Sequence, residues 1–157
     1  MKSSFVTTLC VFFILLSCTK PAMPGELPGL REMRWGQTVQ SIPYLKPIKE
    51  SGGFRYYKKL NEQTHIGAAS LNEIRYVFYN NRLEGMQFIS YGKKDAERLL
   101  EALLAANGSP DSNFGEYASW HRDRVHIYYE YNPYSRILNV SYSTDKAFDI
   151  RRGLCFW

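Results

Sequence analysis

The chain has 157 residues, with 20 Lys or Arg against 15 Asp or Glu and a formal net charge of +5. That is one domain's length, enough for a real core. The basic residues are scattered, without the stripe that tracks a phosphate backbone, so nucleic acid is excluded as a partner. Aromatics make up 15% of the chain and 12 of them are Tyr. Tyrosine suits pleated, half-buried strands, and it also suits binding faces, where the ring supplies area and the hydroxyl a polar handle.

The chain opens on Met1-Lys2, and an apolar run of 12 residues, Phe5–Leu16, follows. A basic start before a short apolar core is a secretory leader. A membrane-spanning helix needs about 17–25 residues. The core closes on Leu15-Leu16-Ser17-Cys18, which resembles the lipobox of bacterial lipoprotein precursors. The resemblance implies that residues 1–17 are a signal peptide and that Cys18 is the first mature residue, carrying fatty acyl chains such as palmitate. It also implies a place on the periplasmic face of the cell envelope, at the outer membrane rather than the inner, with the bilayer held through Cys18. Ordinary signal cleavage fits less well, because Ala22 is the first alanine of the chain and follows Pro21. Cys10 leaves with the leader and Cys18 takes the lipid, so Cys155 has no intramolecular partner. Its neighbours Leu154, Phe156 and Trp157 predict that it is buried.

Residues 18–30 contain Pro21, Pro24, Gly25, Pro28 and Gly29. They hold no regular element and read as a tether. Residues 31–157 form a single globular domain. Trp35-Gly36 leads into a short helix over Gln37–Ile42, ended by Pro43. Many bacterial exported proteins look similar here, with a Trp-Gly start before a short helix, and Trp35 is expected to anchor the core. Phe54–Leu60 alternates as a strand after Gly52-Gly53. Asn61–Leu71 is polar and broken by Gly67, so it reads as a loop or irregular edge.

Glu73–Tyr79 is a strand with Ile74, Tyr76 and Phe78 on one face. Asn80-Asn81 supplies the positive backbone angles of a tight hairpin, and Arg82–Tyr91 returns with Met86 and Phe88 inward. Leu83 is out of phase with them, which predicts a bulge near Gly85. Asp95–Asn107 is the long helix, with Asp95 as N-cap and a stripe of Ala96, Leu99, Leu100, Leu103 and Leu104. Asn107-Gly108 and Pro110 stop it. Glu116–Trp120, Val125–Tyr131 and Ile137–Tyr142 are three more strands. Asp145–Trp157 fits a short helix or an extended tail.

These elements predict an α+β fold: an antiparallel sheet of about six strands with one long amphipathic helix on a face, divisible into two αβββ halves. That order resembles the helix-and-three-strand units of small outer-membrane-assembly lipoproteins and of β-lactamase inhibitor proteins. Both resembled families bind other proteins. The terminal Phe156-Trp157 resembles the end signal of outer-membrane β-barrels, but such barrels need at least eight strands of about 9–11 residues. The tail is therefore expected to pack on the domain.

Motifs that carry chemistry are missing. There is no Gly-x-Ser-x-Gly, phosphate loop, Cys-x-x-Cys or His-Glu-x-x-His. His121 and His126 flank a hairpin, but a zinc site needs a third protein ligand, and Asp123 is the only acid nearby in the turn. Two surface histidines are the plainer reading. Asp111, Glu116 and Glu130 are candidate paired carboxylates with no spacing that forces them together.

The expectation is a lipid-anchored, non-catalytic binding or accessory module with a protein partner, no cofactor and no metal. Its rivals are an inhibitor or immunity protein acting on an envelope enzyme and a small envelope hydrolase. A pocket holding two or more of His121, His126, Glu116 and Glu130 would favour the hydrolase. The lipobox itself is directly testable. Cys18→Ser is expected to leave an unprocessed precursor that a fatty-acid probe does not label, and equal labelling of mutant and wild type would sink the lipoprotein reading.

Overall fold

The computed structural model describes residues 33–154. The lipobox with Cys18, the tether, and the tail residues Cys155, Phe156 and Trp157 lie outside the described residues. A 3-10 turn, Val39–Ser41, comes first, then strands β1 (Leu45–Ser51) and β2 (Phe54–Lys59). A small ribbon of β3 (His65–Ile66) and β4 (Ala69–Ser70) precedes β5 (Glu73–Tyr79), β6 (Arg82–Tyr91) and helix α1 (Lys93–Asn107). Strands β7 (Ser112–Phe114), β8 (Tyr117–Arg122), β9 (Val125–Asn132) and β10 (Ile137–Thr144) follow, and helix α2 (Asp145–Leu154) closes the described chain.

Eight strands form one antiparallel sheet in the order β1-β2-β5-β6-β10-β9-β8-β7. The α+β class and the antiparallel sheet agree with the sequence reading, but its count of six strands is too low. β1 and β7, the two ends of the sheet, are the additions. The expected αβββ halves are also corrected. Each half is four sheet strands followed by a helix, and the last strands of the two halves, β6 and β10, pair at the centre from Ile137↔Tyr91 to Ser143↔Gly85.

Local chemistry explains the hairpins. Asn80 and Asn81 have φ of 48° and 63° between β5 and β6, and Asp123 and Arg124 have φ of 46° and 67° between β8 and β9. Both are two-residue turns with positive angles at each centre, whose twist matches that of the flanking strands. The pairing of β5 with β6 shifts register where Val77↔Gly85 gives way to Phe78↔Leu83, leaving Glu84 as the extra residue of a bulge. Gly85 is required beside it, because a Cβ there would sit 2.9 Å from the Tyr142 carbonyl oxygen.

One face of the sheet packs Tyr76, Phe78, Met86, Phe88, Trp120, Ile127, Leu138 and Val140 with Ala96, Leu99 and Leu103 of α1. The Tyr129 hydroxyl reaches the Ala96 carbonyl at 3.4 Å, and burial pushes that hydroxyl's pKa up to about 12. The opposite face has a smaller cluster, Phe54 and Val77 with Ala147 of α2, flanked by Tyr56, Tyr79 and Ile150. No helix among the described residues is long and apolar enough to cross a membrane.

Four further expectations change. Gly92, with φ of 94°, is the N-cap of α1. Asp95 lies in the first turn instead, where its Oδ1 accepts the Ser70 N–H of β4 at 3.1 Å. The Gln37–Ile42 helix shrinks to the three-residue turn, since Pro43 leaves too few residues to propagate one. Trp35 is 41% exposed and does not anchor the core. Asn61–Leu71, expected as loop or irregular edge, holds the β3–β4 ribbon.

In α1 the stripe is narrower than the sequence suggested. Leu99 and Leu103 are fully buried, whereas Leu104, one position further round the helix, is 39% exposed. Leu103→Ala should therefore cost about 2–5 kcal/mol, and Leu104→Ala about 0.5 kcal/mol or less. Urea denaturation of the two variants checks this, and equal losses would mean that the face is misassigned.

Candidate functional site

The β8–β9 hairpin carries two places where polar or aromatic side chains gather, one at each end. At the turn end, His121 and His126 are cross-strand partners. Their rings stack with centroids 4.3 Å apart and planes 7° from parallel. The register of β10 on β9 sets Ser143 opposite His126 and Thr144 opposite Val125. The next residue, Asp145, therefore arrives beside the turn, where its N–H donates to the Arg124 carbonyl at 3.0 Å.

Helix α2 starts there for local reasons. Thr144 Oγ1 accepts the Ala147 N–H at 3.3 Å, an N-cap contact. The same hydroxyl donates to Glu84 at 2.6 Å, and Lys146 donates to that carboxylate at 3.3 Å. The bulge in β6 thus presents a buried carboxylate that holds the start of α2. Asp145 then points one oxygen, Oδ1, at both rings: 2.9 Å from His121 Nε2 and 3.0 Å from His126 Nε2.

Phe148, one turn into α2, stacks on His126 at 3.9 Å. Burial, with a smaller contribution from His121, pushes the His126 pKa below its ordinary value, and Asp145 only partly opposes this. The far side of His121 is also tied down. Its backbone N–H donates to Asp111 Oδ2 at 2.7 Å, and Arg122 donates to both oxygens of Asp111 at 2.9 Å. Arg122 also reaches the carbonyls of Asn107, Ser109 and His121. The Arg122 guanidinium, helped by the His121 N–H, holds the exposed Asp111 carboxyl below the usual carboxylate range.

His121, His126 and Asp145 each offer one ligand atom, and these atoms lie within 4.8 Å of one another. The third ligand that the sequence reading did not find is Asp145. Asp123 stays in the turn and takes no part, and the acid comes from the next secondary element. One signal was present: Thr144-Asp145 precedes Ala147, Phe148 and Ile150 in the pattern of a cap before an apolar stripe.

At the other end of the hairpin, Phe114 and Tyr134 are 75% and 96% exposed. With Tyr117, Tyr131, Asn132 and Pro133 they line an open hollow that also holds Glu116 and Glu130. Two of the three candidate carboxylates thus come together, while Asp111 is committed to Arg122 at the opposite end. No lysine or arginine lines this hollow.

Compared with known proteins, the chain matches no family model, and no curated protein or solved structure is significantly similar to it.

Arg122 gathers the end of α1, the Asp111 loop and the end of β8 around His121. Arg122→Ala should lower stability by about 1–3 kcal/mol, the scale of losing charge-assisted hydrogen bonds. A urea midpoint within about 0.5 kcal/mol of wild type would show that the cluster is solvent-screened and contributes nothing.

Proposed function

We propose that this chain is a lipid-anchored binding or accessory module of the bacterial envelope. It takes a protein partner on the aromatic end of the β8–β9 hairpin and does no chemistry there. The anchor reading rests on Leu15-Leu16-Ser17-Cys18 and the leader before it. The observation that carries the binding reading is the pair of large rings, Phe114 and Tyr134, left almost fully in solvent beside Glu116 and Glu130. Exposed aromatics grouped around a hollow are the usual anchors of protein interfaces. The two carboxylates give the patch a sign opposite to the net charge of +5, so it suits a partner that presents Lys or Arg.

An inhibitor or immunity protein is the same reading with the partner specified as an enzyme. Net charge alone would point such an inhibitor at an acidic target, whereas the local patch favours a basic one. The hydrolase reading uses the same hollow, because Glu116 and Glu130 both line it. Both carboxylates are exposed there, and an open, wet hollow supplies none of the water exclusion that hydrolytic carboxylate pairs exploit.

The test is capture from envelope extracts with the wild-type chain and with Phe114→Ala/Tyr134→Ala and Glu116→Lys/Glu130→Lys. All three proteins should keep the same unfolding midpoint to within about 0.5 kcal/mol, since the changed side chains are exposed. Both variants should lose the protein that the wild type retains. Retention of the same protein by both would place binding elsewhere.

A further inference from the structure

We propose that His121, His126 and Asp145 form a binding site for one divalent transition-metal ion of the zinc class. The site has three protein donors, and its remaining coordination positions are open to solvent. Two imidazoles and one carboxylate are a donor set for zinc and its first-row neighbours. Calcium and magnesium, which take oxygen ligands, are disfavoured.

The distances support this assignment. Donors about 2.1 Å from a common ion lie about 3.0 Å apart at right angles and about 3.4 Å apart at tetrahedral angles. Asp145 Oδ1 is 2.9 Å from one Nε2 and 3.0 Å from the other. These two sides of the triangle already match the spacing of donors on one ion, and all three donor atoms lie within 4.8 Å of one another, so the two rings have to turn toward a common point to complete the site. Each ring then presents an unprotonated Nε2, its proton residing on Nδ1, and the carboxylate oxygen turns from hydrogen-bond acceptor to ligand.

The stack must also open. With planes 7° from parallel, the two ring lone pairs lie in separate planes and do not meet at one point. The rings are not equally free to turn. Phe148 lies 3.9 Å from His126 and holds it, whereas His121 is exposed. His121 is therefore the ring that swings, and His126 with Asp145 forms the fixed half of the site.

The site joins the β8–β9 hairpin to helix α2, which already meet through the Asp145 N–H on the Arg124 carbonyl and the Phe148 ring on His126. His121 and His126 sit on the β8–β9 hairpin and Asp145 is the first residue of α2, so the ion closes α2 onto the sheet. It lies at the opposite end of the hairpin from the aromatic hollow, and the two sites can succeed or fail independently.

The experiment is equilibrium dialysis of the full-length chain, purified without a polyhistidine tag, against Zn2+, together with Co2+ spectra and thermal unfolding. Wild type should bind one Zn2+ per chain. Co2+ should show visible d–d absorption, and Zn2+ should raise the unfolding midpoint in a way that EDTA reverses. His121→Ala, at the exposed ring, is the substitution least able to disturb the fold. It and Asp145→Ala should weaken Zn2+ binding by more than the about 10–100-fold that follows loss of an outer-shell partner. His65→Ala, on β3, should bind as wild type does. The proposal is overturned if wild type binds no stoichiometric zinc, if His121→Ala or Asp145→Ala retains wild-type affinity, or if His65→Ala loses it.

Discussion

The pairing of β6 with β10 is the constraint on which the rest of the molecule depends. It joins two four-strand sets, each of which could bury only part of an apolar face, into one sheet of eight strands. Because the pairing is antiparallel, the helices that follow these two strands leave from opposite ends of the sheet. They also cover opposite faces: α1 lies over the large cluster and α2 over the small one. The same register extends outward through β9, where Ser143 faces His126. A slip of one residue would move every side chain of β10 to the other face. It would also carry Asp145 away from the two histidines.

The centre of the sheet was legible because Ile74, Tyr76 and Phe78 of β5, and Met86 and Phe88 of β6, put a large buried apolar side chain at every second position. The bounds of β5 and β6 match the sequence reading, and the bulge near Gly85 was visible in the phase of Leu83 against Met86 and Phe88. The ends of the sheet were not legible. β1 carries Lys46, Pro47 and Lys49 and shifts register between Pro47 and Lys49. Those are features that blunt a sheet edge against further pairing, and they also erase the alternation that marks a strand. β7 is three residues long, too short to show any period. Asn61–Leu71 hid a ribbon whose strands are two residues each.

The histidine pair was half legible. The hairpin placed His121 and His126 on neighbouring strands, and sequence alone could see that far. Their third partner is 19 residues beyond His126, and only the register of β10 on β9 brings it back. Glu84 was missed for a related reason. Counted back from Phe88 and Met86 it falls on the α1 face, and only the bulge turns it toward Thr144 and Lys146 under α2. Trp35 failed the other way, since size and hydrophobicity argued for burial while the turn at Gly36 left it at the surface.

The two faces of the sheet differ in what they leave free. The α1 face is largely apolar, with the Tyr129 and Tyr142 hydroxyls among the polar atoms buried in it. The α2 face is covered only near its centre by a helix of ten residues, so Tyr117, Tyr128, His121 and Glu130 on β8 and β9 keep contact with solvent. Polar and aromatic groups persist where covering is incomplete, because there they need no buried partner to offset desolvation. A sheet edge of this kind can carry binding groups without weakening the core. The core is formed on the other side by α1, and the hairpin that presents the groups is held by its own backbone pairing. Both gathering places therefore stand on one rigid strand pair, one at each end.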